Sequence, residues 1–465
     1  MHCVFLLLSL CFLISSCSPL SLKTGPLDIP QVDYEPFLRP GFYNLPELDL
    51  KSVNFSRIVN KTHVSVTLEN EHLRVIVLPE MGRVYRIISK RTGHDVLWRN
   101  DVATPGGANN KLGWWLWIGG IEYTLPGEEH GYTWAIPWKW KIKENSTSRK
   151  AIQLTVKEPS TGLVERLTLS LGLRCASLRA DIDITNPGVD PTKFAHWTNV
   201  PMVPGGKNEL EDDTVFEIPT KEILIAKRWQ QNLGRSPQNW QTSQLRSISG
   251  WNGGMGDFTA KNMTAGYFGT YAAMADEGVL RIFNSTATPG LDTWTYGFHP
   301  KKDVIPGEMN RSNGYAEMWG GNVKTFPDER APIDGNNSSI FWTEWIHPYH
   351  GVHAAPLVFA DANIIVHATW DKTSASLMLY FSHSSSDFRV SSIGLWSHGK
   401  EISEKKKLIY ASGAFCKYSV TIKTANVFLL NAIIRLNHMH LSSARKFQAG
   451  MGVEVKNFKI KLGIV

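Results

Sequence analysis

The chain has 465 residues, 42% of them hydrophobic and 11% aromatic, with 17 tryptophans. That composition excludes a disordered chain and gives room for a large core and two or three domains. The net charge of +7 is uneven: residues 355–465 hold 14 basic and 6 acidic side chains, a balance of +8, so the rest sums to −1. The basic residues of that segment are scattered apart from Lys405, Lys406 and Lys407, and most aromatics lie elsewhere. This argues against a nucleic-acid face, which interleaves basic and stacking side chains.

An apolar run, Val4 to Ile14, precedes the first charged residue, Lys23. It is too short to span a bilayer and reads as a secretory leader over residues 1–18, with a mature start near Ser16 to Leu20. "ISSC" at Ile14 to Cys17 leaves a second reading open, a bacterial lipoprotein anchored at Cys17. Eight Asn-x-Ser/Thr sequons, at Asn54, Asn60, Asn145, Asn262, Asn284, Asn310, Asn336 and Asn337, favour eukaryotic secretion. Chance supplies only about four in such a composition. Cys175 and Cys416 are the cysteines that clearly remain after the leader; they suit one disulfide or two buried thiols.

Residues 19–62 are proline-rich and weakly periodic, and read as an extended arm on the surface. From residue 63 the pattern becomes β. "HVSVTLEN" and "LRVIVLP" alternate about a turn at Asn70-Glu71, and "VYRIIS" follows. "KAIQLTVKEP", "VERLTLSLGL" and "SLRADIDITNP" predict three more strands, and "YFGTYAAMADEGVLRIFN" a hairpin. "KEILIAKRWQQNL", Lys221 to Leu233, is the best short helix. Recurrent prolines, among them Pro327, Pro332, Pro348 and Pro356, mark long loops, where function tends to sit. Beyond about Pro356, short strands at regular spacing predict a second β unit, so the domains run 63–355 and 356–465, with the boundary between about 348 and 362.

Tryptophans crowd "GWWLWIGGIEYTLPGEEHGYTWAIPWKW", where polar groups are equally dense. Pyranose rings have apolar C–H faces and hydroxyl edges. Trp114, Trp115, Trp117, Trp134, Trp138 and Trp140 suit the faces; Glu122, Glu128, Glu129 and His130 suit the edges. About half of these indoles are expected in the core, each burying a large area.

The order of motifs resembles the galactose mutarotase-like, or aldose epimerase-like, superfamily. The likeness begins at "ENEHLRVIVLPEMGRVYRIISKRTGHDVLWRN" and continues through His130-Gly131 with Trp138, "DITNPGVDPTKFAHW" with His196 and Trp197, and "GYAEMWGG" with Glu317. It is strongest toward a secreted and bacterial branch of unknown function, through "GGIE", "EMWGG" and "WTEWIHP", the last spanning Trp342 to Pro348. The resemblance implies an all-β fold: a large mutarotase-like β-supersandwich over 63–355, followed by a small C-terminal β-sandwich. It also implies that His196 protonates the ring oxygen, that Glu317 takes the anomeric hydroxyl proton, and that His130 binds or polarises. Trp115, Trp117, Trp134, Trp138, Trp319, Glu122 and Glu344 are the further expected sugar contacts, with Asp292 standing for the family's additional aspartate. Around His196 the text reads "FAHWTN", where mutarotases carry Asn-His-x-Tyr-Phe-Asn.

The expected function is a secreted carbohydrate-binding or carbohydrate-active protein. The resemblance leaves open epimerase, glycoside hydrolase and lyase chemistry, and a non-catalytic glycan-binding or adhesive ectodomain is the alternative. The ligand class is a mono- or oligosaccharide. No cofactor fingerprint occurs, and no second stretch is apolar enough for a membrane span. His347, His350 and His353 have helical spacing, but Pro348 and Gly351 predict a loop there, so no metal is expected.

Overall fold

The computed structural model describes residues 19–251, 255–296, 314–325 and 329–362 and, beyond these, the strands between residues 364 and 464. The leader with Cys17, the sequon at Asn310, Lys405 to Lys407 and the side chain of Cys416 lie outside the described residues.

Six strands come first: β1 (Ser21–Val32), β2 (Ile58–Glu69), β3 (Leu73–Leu78), β4 (Arg83–Ser89), β5 (Arg99–Gly107) and β6 (Trp114–Gly119). They form one sheet in the order β4-β3-β2-β1-β5-β6. Residues 21–32 are therefore a strand of the sandwich and not a surface arm, pairing with β2 from Ser21↔Glu69 to Val32↔Ile58. Pro26 and Pro30 lie an even number of residues apart, so both withhold donors toward one side, and the ladder to β2 survives. Ile29, Val32, Tyr34, Leu45 and Leu48 pack with Trp114, Leu116 and Ile118 in a cluster of their own.

Fourteen further strands form most of the rest of the large unit: β7 (Glu122–Thr124), β8 (Lys139–Asn145), β9 (Arg149–Lys157), β10 (Val164–Gly172), β11 (Leu178–Asn186), β12 (Trp197–Pro201), β13 (Thr214–Glu217), β14 (Glu222–Ile225), β15 (Gly256–Lys261), β16 (Tyr267–Ala272), β17 (Glu277–Phe283), β18 (Asp292–Tyr296), β19 (Tyr315–Gly321) and β20 (Ser338–His350), alongside shorter pieces such as the pair Thr192–Phe194 and Ala331–Ile333. An eight-stranded sheet runs β8-β9-β10-β11-β20-β17-β16-β13. A seven-stranded sheet runs from a short strand at Gln238–Asn239 through β14-β15-β18-β19-β12-β7. Alternation sends Ile152, Leu154, Leu167, Leu169, Ile182 and Ile184 inward from the eight-stranded sheet, against Val200, Phe258, Ala316 and Met318. Each such aliphatic side chain contributes about 1.5–3 kcal/mol on burial.

Two local expectations change. Residues 222–225 are a strand paired with β15, and only Gln230–Leu233 is α-helical. The core prefers the alternating Ile223 and Ile225, both buried, to the helical periodicity. Pro348, read as a loop marker, lies inside β20 opposite Val279.

The C-terminal strands Leu357–Ala360, Ile364–Asp371, Ser376–His383 and Phe415–Thr421 make a separate four-stranded sheet, and Phe388–Ser397, Lys400–Glu401, Leu430–His438, Val453–Val455 and Phe458–Ile464 a five-stranded one. The first of these packs on the large unit, with Ile365 and Tyr380 against Tyr267, Tyr271, Leu280, Ile282 and Tyr349. His347 Nε2 meets Ser382 Oγ at 3.0 Å across that seam.

Candidate functional site

The seven-stranded sheet has two unlike faces. Met318, Ala316, Val200, Thr198, Thr293 and Thr295 are fully buried on the inner one. The other face carries rows set by register. Asp292 pairs with Trp319, which pairs with Asn199, which pairs with Glu122. Beside that row, Trp294 pairs with Glu317. On this face Trp294 and Trp319 are half-buried, whereas Asp292, Glu317, Asn199 and Glu122 are buried.

Glu317 lies among polar partners. Asn199 Nδ2 donates to its Oε2 at 2.9 Å and Tyr315 Oη to its Oε1 at 3.2 Å. Burial pushes the Glu317 carboxyl above the usual carboxylate range and Glu122 adds to that, while His130, Asn199 and Tyr315 oppose it. Asn199 Oδ1 is buried with no hydrogen-bond partner.

Glu122 has a partner on each side, an ion pair with Arg83 and a hydrogen bond with His130. Arg83 Nη2 lies 3.3 Å from Oε1, and His130 Nδ1 lies 3.2 Å from Oε2. Burial would raise the Glu122 carboxyl, but Arg83 and His130 outweigh it and hold it low. Burial likewise disfavours the His130 imidazolium, yet Glu122, with help from Glu317 and Glu129, holds its pKa above the ordinary value. The result is a chain of partners, Arg83–Glu122–His130, in which the Glu122 carboxyl is held low while the pKa values of His130 and the neighbouring Glu317 are raised.

The loop between β7 and β8 places the histidine. His130 has φ 57°, a left-handed conformation that non-glycine residues adopt at a cost. The turn is closed by Gly131 N to Glu128 O and Tyr132 N to Leu125 O, each 2.7 Å. Only glycine fits next, because a Cβ on Gly131 would lie 2.1 Å from Leu125 O. The imidazole stacks on Trp115, with ring centroids 3.6 Å apart and planes 6° apart. Trp117 continues that wall, 4.9 Å from the Tyr296 ring and 5.7 Å from Tyr315.

The expected residues therefore divide. Glu122, His130, Glu317, Trp115, Trp117 and Trp319 gather at one cleft, with Asp292 one strand further along, accepting from Thr259 Oγ1. His196 does not join them. It is fully buried, 3.0 Å from Glu165 Oε1, with its ring edge against Trp342. Trp197 and Asn199 face the cleft, so strand alternation turns the residue before Trp197 toward the eight-stranded sheet. Glu344 is also inside, ion-paired to the fully buried Arg281 and accepting from Trp342 Nε1 at 2.8 Å. Trp138 is core: its Nε1 donates to Thr133 O and its ring covers Gly82. Trp134 braces the loop edge-on against Trp114 at 4.8 Å. Glu128 accepts from Tyr132 Oη and Glu129 from the Asn109 amide, so both acids fasten the loop.

Arg83, Asn199, Tyr315 and Trp197 complete the cleft and were not picked out as site residues from the sequence. "MGRVYRI" carried a usable signal for Arg83, since a buried strand position rarely holds arginine without a carboxylate partner.

The family described as "Domain of unknown function (DUF5107)" matches residues 45–341, more than half of the chain. The chain belongs to this family. Every cleft residue named above lies inside the DUF5107 match. Among solved structures, a TPR-domain containing protein from Parabacteroides distasonis is 20% identical with a TM-score of 0.56, over 71% of this chain and 56% of that one. The chain thus spans little more than half of that protein's length. A galactose mutarotase-like protein from Clostridium acetobutylicum is 11% identical over 72% of this chain and 99% of its own, with a TM-score of 0.45. A galactose mutarotase related enzyme from Lactobacillus acidophilus is 11% identical over 61% and 97%, with a TM-score of 0.43. The DUF5107 chain is similar in fold to each of these proteins over the portion stated.

Proposed function

We propose that the cleft binds a pyranose sugar and that His130 and Glu317 act on its anomeric centre as acid and base. The observation that carries this is the meeting of an imidazole and a carboxyl, His130 and Glu317, beside the Glu122 carboxylate in one tryptophan-walled site. Glu122 holds the His130 pKa above its ordinary value, and burial also raises that of the neighbouring Glu317. Glu122, held low, and Glu317, pushed up, are two carboxyls whose pKa values their surroundings separate, an arrangement that suits acid–base catalysis. His130 Nδ1 is engaged by Glu122, which leaves Nε2 for a ligand. In the proposed step, His130 gives its proton to the ring oxygen as the bond from the anomeric carbon to that oxygen breaks. Glu317 takes the proton of the anomeric hydroxyl as the carbonyl forms. Reclosure on either face reverses both transfers. His130 thus takes the role that the resemblance assigned to His196.

The same reading makes this an exported protein. All seven described sequon asparagines are exposed, as glycan attachment requires. Among the described residues no helix is long and apolar enough to cross a membrane.

The test joins binding to turnover. A glycan array finds ligands; polarimetry on freshly dissolved α-D-glucose and α-D-galactose reads anomer exchange. Glu317→Gln is expected to keep sugar affinity within a few-fold and to lose exchange. Unchanged exchange in that variant rejects the acid–base assignment. A folded His130→Ala/Glu122→Gln variant is expected to lose at least about tenfold in affinity. If it binds as before, the sugar site is elsewhere. Binding without any exchange in the natural protein selects the glycan-binding alternative.

A further inference from the structure

This polar and aromatic face does not end at Glu317. Beyond Trp294 the ladder continues to Asp257, and beyond Asp292 to Thr259, both on β15. Asp257 is itself built into a small cluster. Arg228 Nη2 reaches its Oδ2 at 2.7 Å and Trp229 Nε1 the same oxygen at 2.8 Å. The Arg228 guanidinium also lies over the Trp229 ring, 5.2 Å from its centroid. Trp229 is half-buried and the Arg228 side chain is 70% exposed.

From Glu122 on β7 to Thr259 on β15 the row crosses four strand steps of about 4.8 Å, about 19 Å in all, and a pyranose ring spans about one such step. Along it, aromatic faces alternate with hydrogen-bonding groups: Asn199, Trp319, Asp292 with Thr259, and diagonally Trp294 and Asp257. Trp319 is half-buried and its Nε1 has no hydrogen-bond partner, as is true of Asn199 Oδ1. A buried donor and a buried acceptor left open on one face await a ligand that supplies both, as a hydroxyl does. Stacking rings with hydroxyl-bonding edges, repeated at the spacing of a sugar unit, match a chain of sugars. One ring in the His130–Glu317 cleft would leave this half of the face unused.

Building on the sugar reading above, we infer that the ligand is an oligosaccharide of about three or four units lying across β7, β12, β19, β18 and β15. Its terminal unit sits at His130 and Glu317. Trp319 and Trp294 stack on the following units, and the Asp257–Arg228–Trp229 cluster closes the far end.

Calorimetric titration of the full chain tests this with glucose, galactose, mannose and xylose and their β-1,4-linked di-, tri- and tetrasaccharides. For at least one series, affinity is expected to rise about tenfold or more between one and three units. Arg228→Ala, an exposed change that spares the core, is expected to remove much of the gain between two and four units. Trp229→Ala should act in the same direction. Equal affinity for monosaccharide and tetrasaccharide overturns the extended site and leaves the sugar cleft standing. A gain with length that neither variant reduces overturns the placement of the far end. Failure of every sugar to bind overturns both readings together.

Discussion

Removing the carboxylate of Glu344 would destabilise the fold without touching the cleft. Arg281 is fully buried, and Glu344 satisfies its Nε at 2.9 Å and also its Nη2. Gly320 O accepts a further bond from Nη2 at 3.1 Å but cannot neutralise the guanidinium. In Glu344→Ala the arginine keeps its charge in an apolar surround against Phe268 and Phe283, whose rings lie 5.0 and 4.7 Å from its guanidinium carbon. Breaking a buried pair from one side costs about 3–5 kcal/mol. With a denaturant slope of about 3 kcal/mol per molar, the urea midpoint falls by about 1 M or more. Arg281→Met/Glu344→Leu removes both charges and is expected to recover most of that loss. Arginine and Nε1 of Trp342 hold the Glu344 carboxyl low in spite of burial, so its pair contributes stability above the ordinary carboxylate value and loses it as pH falls through the folded one. The assay is urea unfolding followed by tryptophan fluorescence, with sugar titration on the folded variants. An unchanged midpoint in Glu344→Ala, or a folded variant whose sugar affinity collapses, would refute the assignment of this glutamate to the core.

Turnover should follow a bell in kcat/KM, falling on the acid side as Glu317 protonates and on the alkaline side as His130 loses its proton, both limbs lying above the ordinary values of 4.5 and 6.5. Glu317→Gln abolishing only the acid limb of any residual activity checks the assignment. Gly131→Ala forces an alanine into a left-handed conformation, at roughly 1 kcal/mol, and drives its Cβ toward Leu125 O. The fold should persist while sugar affinity drops at least about tenfold, as titration would read; equal affinity means that the His130 turn is not needed. Residues 356–465, proposed as a separate small sandwich, cover Tyr267, Leu280 and Ile282. Truncation after residue 355 is therefore expected to increase binding of a hydrophobic dye and to lower the thermal midpoint, and no change in either would show that the cover is dispensable. Expression through a eukaryotic secretory route should add mass that peptide N-glycosidase removes, and an unmodified product would count against export by that route.

Much of the scaffold could be read from the chain because alternation is a local signal. The strands from Arg149 to Asn186 show it plainly, and their register follows from short turns. The cleft was half legible. Glu122 and His130 stand together in a stretch whose glycines and indoles advertise it, and Glu317 stood out through motif order. His196 was misplaced because a strand's facing is set by its neighbours: the shift of one residue that puts Trp197 in the cleft puts histidine behind it. Glu344 failed likewise, since nothing near it in sequence reveals an arginine on a distant strand. Asn199 carries no local mark and gains meaning only when β12 lies beside β7; Arg83 is marked only as an arginine within a strand, and its partner appears when β4 lies beside the turn after β6. Residues 21–32 were hidden by prolines, which suppress the strand signal without forbidding an edge-tolerant strand.

The long strand β20 has a consequence for how the protein is made. It stitches β11 to β17, pairing Leu178 with Ile346 and Glu277 with His350. During synthesis β11 is complete once residue 186 emerges, but its partner edge arrives only with residue 350. At about 5–20 residues per second, that interval is on the order of ten to thirty seconds. Through it the growing chain carries an unpaired edge beside exposed apolar faces, the arrangement most open to wrong pairing. Yield in a heterologous host should therefore depend on what shields that edge while the ribosome finishes, more than on the final stability of the sandwich.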